Sequence, residues 1–305
     1  MRIVTLTLLL LISSNHLNGQ SIMKGLDSLD NGAIVQITRD SHDSWVDWAN
    51  DDKSIFFISP KSGNNNLYQI QLDEIELTEL RPDIFAASYL IDSLSNSSIT
   101  QLTFEDEIIV ESPLSIPKTN SVAFITYRCE PYPCEGFNIK ILDLTSNEVE
   151  TVMEESSSIF FYDFIGDEKL IYVTEKSDST IMELDLSTGM KTSFASVGNS
   201  ISGMNVVDDT IIIGSENGVY SVNIESKESE IIYSDQLFGS KITKVANYLI
   251  GILPGPASGM VNLETNQTTK FIDSYDYQPS VSNNNQFVAV ISEGAMGILI
   301  KKLEL

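Results

Sequence analysis

Histidine, cysteine and tryptophan are down to two copies each in this 305-residue chain, and 18 basic residues face 43 acidic ones. Each shortage excludes something. His16 falls in the leader-like start, which leaves His42 as the only histidine on which a Ser–His–Asp arrangement could be built. No G-x-S-x-G elbow occurs; in Gly255–Gly259 (GPASG) the serine is displaced by one position. The S-x-x-K matches at Ser21–Lys24 and Ser115–Lys118 fall at the expected mature start and in a turn, and read as chance. H-E-x-x-H, C-x-x-C and a full D-x-D-x-D-G loop are all missing, so no metal or organic cofactor is expected. A formal charge of −25 repels phosphate backbones and anionic lipid surfaces, which argues against nucleic acid and membrane adsorption. The acidic surface reads first as a solubilising one.

Long apolar runs are scarce as well. Ile3–Ile12 is apolar but for Thr5 and Thr7, follows Arg2, and is too short to span a bilayer. Residues 1–20 therefore read as an export signal with its cut near Gly19 or Gln20, followed by a linker over 21–32. Nothing downstream has the apolar length of a membrane span, so a secreted or periplasmic protein is expected. In that setting Cys129 and Cys134, separated by Glu130-Pro131-Tyr132-Pro133, are expected to form a disulfide that pins a hairpin loop.

What is present is a repeat. The stretch from Ser44 to Leu72 reads as a turn-rich loop, an apolar strand (Ser54–Ser59), a Gly/Asn turn and a second alternating strand (Asn66–Leu72). The apolar strand recurs at Ser121–Thr126, Lys169–Thr174, Thr210–Ser215, Tyr248–Leu253 and Gln286–Ile291. After a longer first interval the spacing settles near the roughly 40 residues of a four-stranded propeller blade. A second strand follows most copies, then a turn of the type LDLTSN, LDLSTG, VNIESK or VNLETN, then an outer strand. No long amphipathic helix competes. The pattern predicts an all-β, six-bladed propeller over residues 33–305. Ala33–Thr38 is expected to complete the last blade, because an unpaired outer edge invites aggregation. The long first interval holds two candidates for one blade strand, Leu67–Leu72 and Ala87–Asp92, and the residues do not choose between them. Arg81-Pro82-Asp83 in that interval could open a short helical turn.

The residues Ile37-Thr38, Trp48, Asp51-Asp52, Ser54–Ile58 and Leu67-Tyr68 resemble the WD40-like repeat of the TolB family. Leu102-Thr103, Pro113, Pro117 and Val122–Ile125 match it in the second unit, and Pro279, Ser282 and Phe287–Val290 in the last. The S-P-D-G turn of that repeat has become ANDD, IPKTN and SNNN here, and only the first unit keeps the Trp. The resemblance implies a six-bladed propeller in an exported protein and carries no activity with it.

Function is expected to lie in surface loops: a non-enzymatic scaffold that recognises a protein or peptide partner at one face. The candidate binding residues are His42, Asp43, Trp45, Asp47 and Asp51 in the Asp40–Asp52 stretch, and Tyr132 in the disulfide loop. The acidic insertion Asp73–Asn96 is a third candidate surface. Asp40, Asp43, Asp47, Asp51 and Asp52 are hard oxygen donors suited to Ca²⁺, though Asp in such loops more often bonds its own backbone. Trp48 is expected between blades; Trp45 either packs there or stacks on a ligand. Asn96-Ser97-Ser98 and Asn266-Gln267-Thr268 fit the glycosylation sequon. The alternative is a glycoside hydrolase or polysaccharide lyase that works through paired carboxylates at the channel mouth.

Overall fold

Alternation within the apolar runs sets the architecture. In Ser54–Ser59, Ile55 and Phe57 pack to one side and Phe56 and Ile58 to the other, and all four are buried. A strand covered on both faces must be apolar at every position, and only stacked sheets provide such a place. The same division holds for Val122 and Phe124 against Ala123 and Ile125, and for Leu170 and Tyr172 against Ile171 and Val173.

The computed structural model describes residues 22–24, 26, 29, 32–38, 42–72, 76–79, 89–91, 99–105, 108–130, 132–255, 257–271, 276–292 and 297–304. The leader, Asp40, the Arg81-Pro82-Asp83 turn and the Asn96 sequon lie outside them. The chain opens with β1 (Ile22–Lys24), inside the segment expected as a linker, and β2 (Ile34–Gln36). Blade one begins with β3 (Ser44–Trp48), β4 (Ser54–Ser59) and β5 (Asn66–Gln71). Then β6 (Glu76–Glu79) and β7 (Tyr89–Ile91) precede its outer strand β8 (Ile99–Gln101). Blade two is β9 (Ile109–Ser115), β10 (Ser121–Arg128), β11 (Glu135–Asp143) and β12 (Val149–Glu155). Blade three is β13 (Ile159–Ile165), β14 (Lys169–Thr174), β15 (Thr180–Asp185) and β16 (Lys191–Ser196). Blade four is β17 (Ile201–Val207), β18 (Thr210–Ser215), β19 (Gly218–Asn223) and β20 (Ser229–Tyr233). Blade five is β21 (Phe238–Val245), β22 (Tyr248–Leu253), β23 (Ala257–Asn262) and β24 (Thr268–Lys270). Blade six is β25 (Asp276–Val281), β26 (Phe287–Ser292) and β27 (Gly297–Lys302), completed by β2.

The fold is a six-bladed β-propeller. Neighbouring blades sandwich six separate hydrophobic clusters, one at each interface, instead of a single central core. Closure takes place as expected. β2 pairs antiparallel with β27 in the register Ile34↔Lys301, Val35↔Ile300 and Gln36↔Leu299. The two strand candidates of the long interval also separate: β5 belongs to blade one, while β7 pairs parallel with β2 at the opposite side of the ring seam. β6 and β1 add on beyond β7, so the closing sheet has seven strands and the insertion shields the closing strand.

One expectation is corrected. Ser44–Trp48 is not a loop but β3, the innermost strand of blade one. Its pairing with β4 shifts register between Ser44 and Asp47, a bulge that breaks the alternation by which a strand is recognised. Innermost strands β9 and β25 have shifts of the same kind, with Ser112 and Gln278, like Trp45, at positive φ (52°, 55° and 50°).

Candidate functional site

The first strand of each blade contacts the first strands of its neighbours, so these six strands wall the central channel. The partner of the third residue in each apolar strand occupies an equivalent place: Asp47, Leu114, Asp163, Asn205, Thr243 and Ser280. All six line one cavity of about 320 Å³. They form a girdle, one side chain per blade.

The girdle is wired from blade to blade. Asp47 Oδ2 accepts the Ser115 N–H of blade two (2.8 Å), and its Oδ1 accepts the Ser280 hydroxyl of blade six (2.8 Å). Asp163 Oδ2 accepts the Val206 N–H of blade four (2.6 Å), and its Oδ1 accepts the Phe164 N–H (2.7 Å). Asn205 Nδ2 donates to Thr243 Oγ1 (3.0 Å), and the Tyr162 hydroxyl donates to the Ser112 carbonyl (2.5 Å). Lys241 reaches from blade five to Asp47 in a buried ion pair. Burial pushes the Asp163 carboxyl up to about 6, against the pull of Lys241 and its two backbone donors. Burial also holds the Tyr162 phenol well above its ordinary value, with Asp47, Asp163 and Glu111 adding to the effect.

Two residues earlier on the same six strands stand Trp45, Ser112, Phe161, Gly203, Lys241 and Gln278. All but Gly203 line a second, smaller cavity, together with Pro113, Phe160 and Tyr162. Gln278 Oε1 accepts the Trp45 N–H (2.8 Å), which fixes the bulge of blade one against that of blade six. At Gly203 the chains of blades four and five meet so closely that a Cβ would fall 1.9 Å from the Gly239 carbonyl oxygen.

The antiparallel order puts the connections into two groups. Links between blades and the turns joining second to third strands share the face where the innermost strands begin, here the loop face. Turns joining first to second and third to fourth strands share the other, the turn face. His42 (exposed), Asp43 (buried), Trp45 (half-buried) and Tyr132 (86% exposed) belong to the loop face. Cys129 and Cys134 form the disulfide beneath Tyr132. Asp47 is inside the channel, and Asp51 is on the turn face, where its Oδ1 accepts the Lys53 N–H (2.9 Å). The run of aspartates that suggested Ca²⁺ is thus dispersed over the height of the ring. Asp52 serves another purpose, accepting the N–H groups of Asn283 (2.6 Å) and Asn284 (2.8 Å) from blade six. Among the described residues no group of three or more His, Cys, Asp or Glu is placed to hold a metal ion. Trp48 lies between blades, stacked on Phe287 with its Nε1–H on the Ser280 carbonyl (3.0 Å).

Reading the sequence did not single out Phe104, Phe160, Phe238, Asp163 or Lys241. Phe104 (77%), Phe160 (41%) and Phe238 (37%) remain exposed. Phe160 and Phe238 stand at the start of the innermost strands β13 and β21, on the loop face with Tyr132, whereas Phe104 lines a groove between blades one and two with Asn147 and Val149. The remaining large exposed hydrophobic side chains among the described residues are aliphatic: Val149 and Ile231 on outer strands and Met190 in a turn-face turn. Asp163 could have been found, since an acid inside Ile159–Ile165 (IFFYDFI) breaks an otherwise aromatic and aliphatic run.

No protein-family model matches the chain, and neither does any curated protein. Solved structures do. An oligogalacturonate lyase in complex with manganese aligns over 94% of this chain and 96% of its own, at 12% identity and a TM-score of 0.56. A protein of unknown function from Bacteroides thetaiotaomicron aligns over 93% of this chain and 75% of its own, at 10% identity and a TM-score of 0.57. TolB from Acinetobacter baumannii aligns over 84% of this chain and 65% of its own, at 13% identity and a TM-score of 0.52. At these identities the likeness is one of fold, shared by enzymes and non-enzymes alike. Among the described residues no helix is long and apolar enough to cross a membrane.

Proposed function

We propose that this protein is an exported, non-enzymatic scaffold that docks a protein or peptide partner on its loop face. One observation carries the reading: the exposed aromatic residues Tyr132, Phe160 and Phe238 all lie on that face, and Phe160 lines its mouth with Trp45 and Phe161. Exposed aromatics that share a surface are the usual anchors of polypeptide recognition, because a rigid ring buries much area at little entropic cost. The disulfide favours the same use, since it ties Tyr132 to a six-residue ring before any partner arrives. His42, Asp43 and Trp45 flank the mouth within this reading, whereas Asp51 does not belong to it.

A carbohydrate-cleaving role has one observation in its favour, the convergence of Asp47 and Asp163 from different blades on one cavity. Both carboxylates, however, already bind backbone N–H groups of the next blade, and Asp47 also binds Lys241. Acids committed to holding the ring together are poorly placed to exchange protons with a sugar. The test is affinity capture from the native envelope with the purified mature protein, repeated with Tyr132→Ala/Phe160→Ala. A stoichiometric partner that the variant fails to retain supports docking; release of sugar from a polysaccharide panel defeats it.

A further inference from the structure

The mouth on the loop face is small, about 30 Å³, and Trp45, Phe160, Phe161 and Tyr162 are among the residues that line it. A void of that size holds roughly two water-sized groups. That is room for the tip of a side chain, such as an ammonium and its last methylene, entering from the solvent side. The electrostatics point the same way. Ring faces carry negative charge density and attract cations. Asp47, Asp163 and Glu111 all act on the Tyr162 hydroxyl. Among the described residues Lys241 is the only basic one lining the mouth, and it is already bound to Asp47. A chain of net charge −25 adds a long-range field of the same sign.

We propose that this mouth admits a primary ammonium group, a lysine side chain or a free amino terminus, presented by the polypeptide that docks on the loop face. The inference rests on the docking reading but is tested apart from it. The mature protein is titrated with pentalysine amide and its N-acetylated form, which separates side-chain from terminal ammonium, and with N-acetylated penta-acetyllysine and N-acetylated pentaglutamate as controls, following Trp fluorescence and heat. Pentalysine is expected to bind with a Kd on the order of 1 mM or tighter at low salt, weakening as salt rises. Phe160→Ala, a substitution at an exposed ring, is expected to weaken it about tenfold, whereas Met190→Ala, at an exposed side chain of the turn face, leaves it unchanged. Equal binding of penta-acetyllysine or pentaglutamate, insensitivity to Phe160→Ala, or no binding of pentalysine overturns the proposal. If a captured partner is retained while pentalysine fails, the ammonium site falls and the docking surface stands. If no partner is captured, the docking reading falls, and the titration still decides the site.

Discussion

The two faces of the ring are built from the same blades and finished in different ways. On the turn face four links between third and fourth strands repeat one device. Asp143, Asp185, Asn223 and Asn262 each accept the backbone N–H groups two and three residues ahead, at 2.7–3.0 Å. Their own carbonyls accept the N–H four residues on, from Asn147, Gly189, Lys227 and Asn266. Each of those four residues has positive φ, a conformation Gly and Asn adopt readily. Such turns satisfy themselves and offer little to a partner. Among the described residues the loop face shows no common device; its links differ in length, one is cross-linked, and aromatic rings stay in water. Regularity marks the face that holds the fold, irregularity the face free to specialise.

The largest effect is expected at the interface of blades four and five. Gly203→Ala forces a methyl into the Gly239 carbonyl and is expected to cost about 3 kcal/mol or more, measured by chemical denaturation. It would blur the comparison, since both faces hang from the same interface of blades four and five.

Next comes Asp163, in the girdle between the faces. Its carboxyl titrates near 6 in the fold against about 3.9 when unfolded, so the protonated form favours folding. The stabilisation is complete below about pH 4 and is lost as pH rises through about 6. The change amounts to about 3 kcal/mol at most. Denaturation midpoints of wild type and Asp163→Asn between pH 4 and 7 measure it: the wild type should decline relative to the variant, and parallel curves would contradict the assignment.

Tyr132→Ala/Phe160→Ala is expected to weaken partner capture more than tenfold, about 1.4 kcal/mol, with the thermal midpoint essentially unmoved. Asp143→Ala on the turn face should leave capture intact; equal loss in both variants would erase the distinction between the faces.

The smallest effect is expected at Asp185, held down to about 2 by the hydroxyls and N–H groups of Ser187 and Thr188. Its contribution is present above about pH 4 and is lost as pH falls through about 2. Asp185→Ala should lower the thermal midpoint slightly at pH 7, and Asp185→Asn, with the oxygen retained, should restore most of it.

Three strands of each blade are legible in the amino-acid pattern and the fourth is not, for a physical reason. Second strands are covered on both sides and read as unbroken apolar runs; third and outer strands alternate. Innermost strands face the channel, carry bulges, and tolerate Pro113 and Pro279 because they are sheet edges. Each of those features reads as a loop. The candidate site suffers accordingly. Tyr132 and Trp45 are recognisable as aromatics among turn residues, yet a neighbouring Asp in sequence proves to be a channel residue in one case and a turn-face residue in another. Phe160 and Phe238 cannot be told from core aromatics, because exposure at the first residues of a strand depends on what the adjoining blade leaves uncovered.

The seam between β2 and β27 imposes an order on biogenesis. An N-terminus that is synthesised first must keep Val35 waiting for Ile300, its partner 265 positions later. Until then blade six has no outer strand, and β2, paired on one side with β7, keeps its other edge open. A stall late in translation leaves behind a ring that is open at this seam.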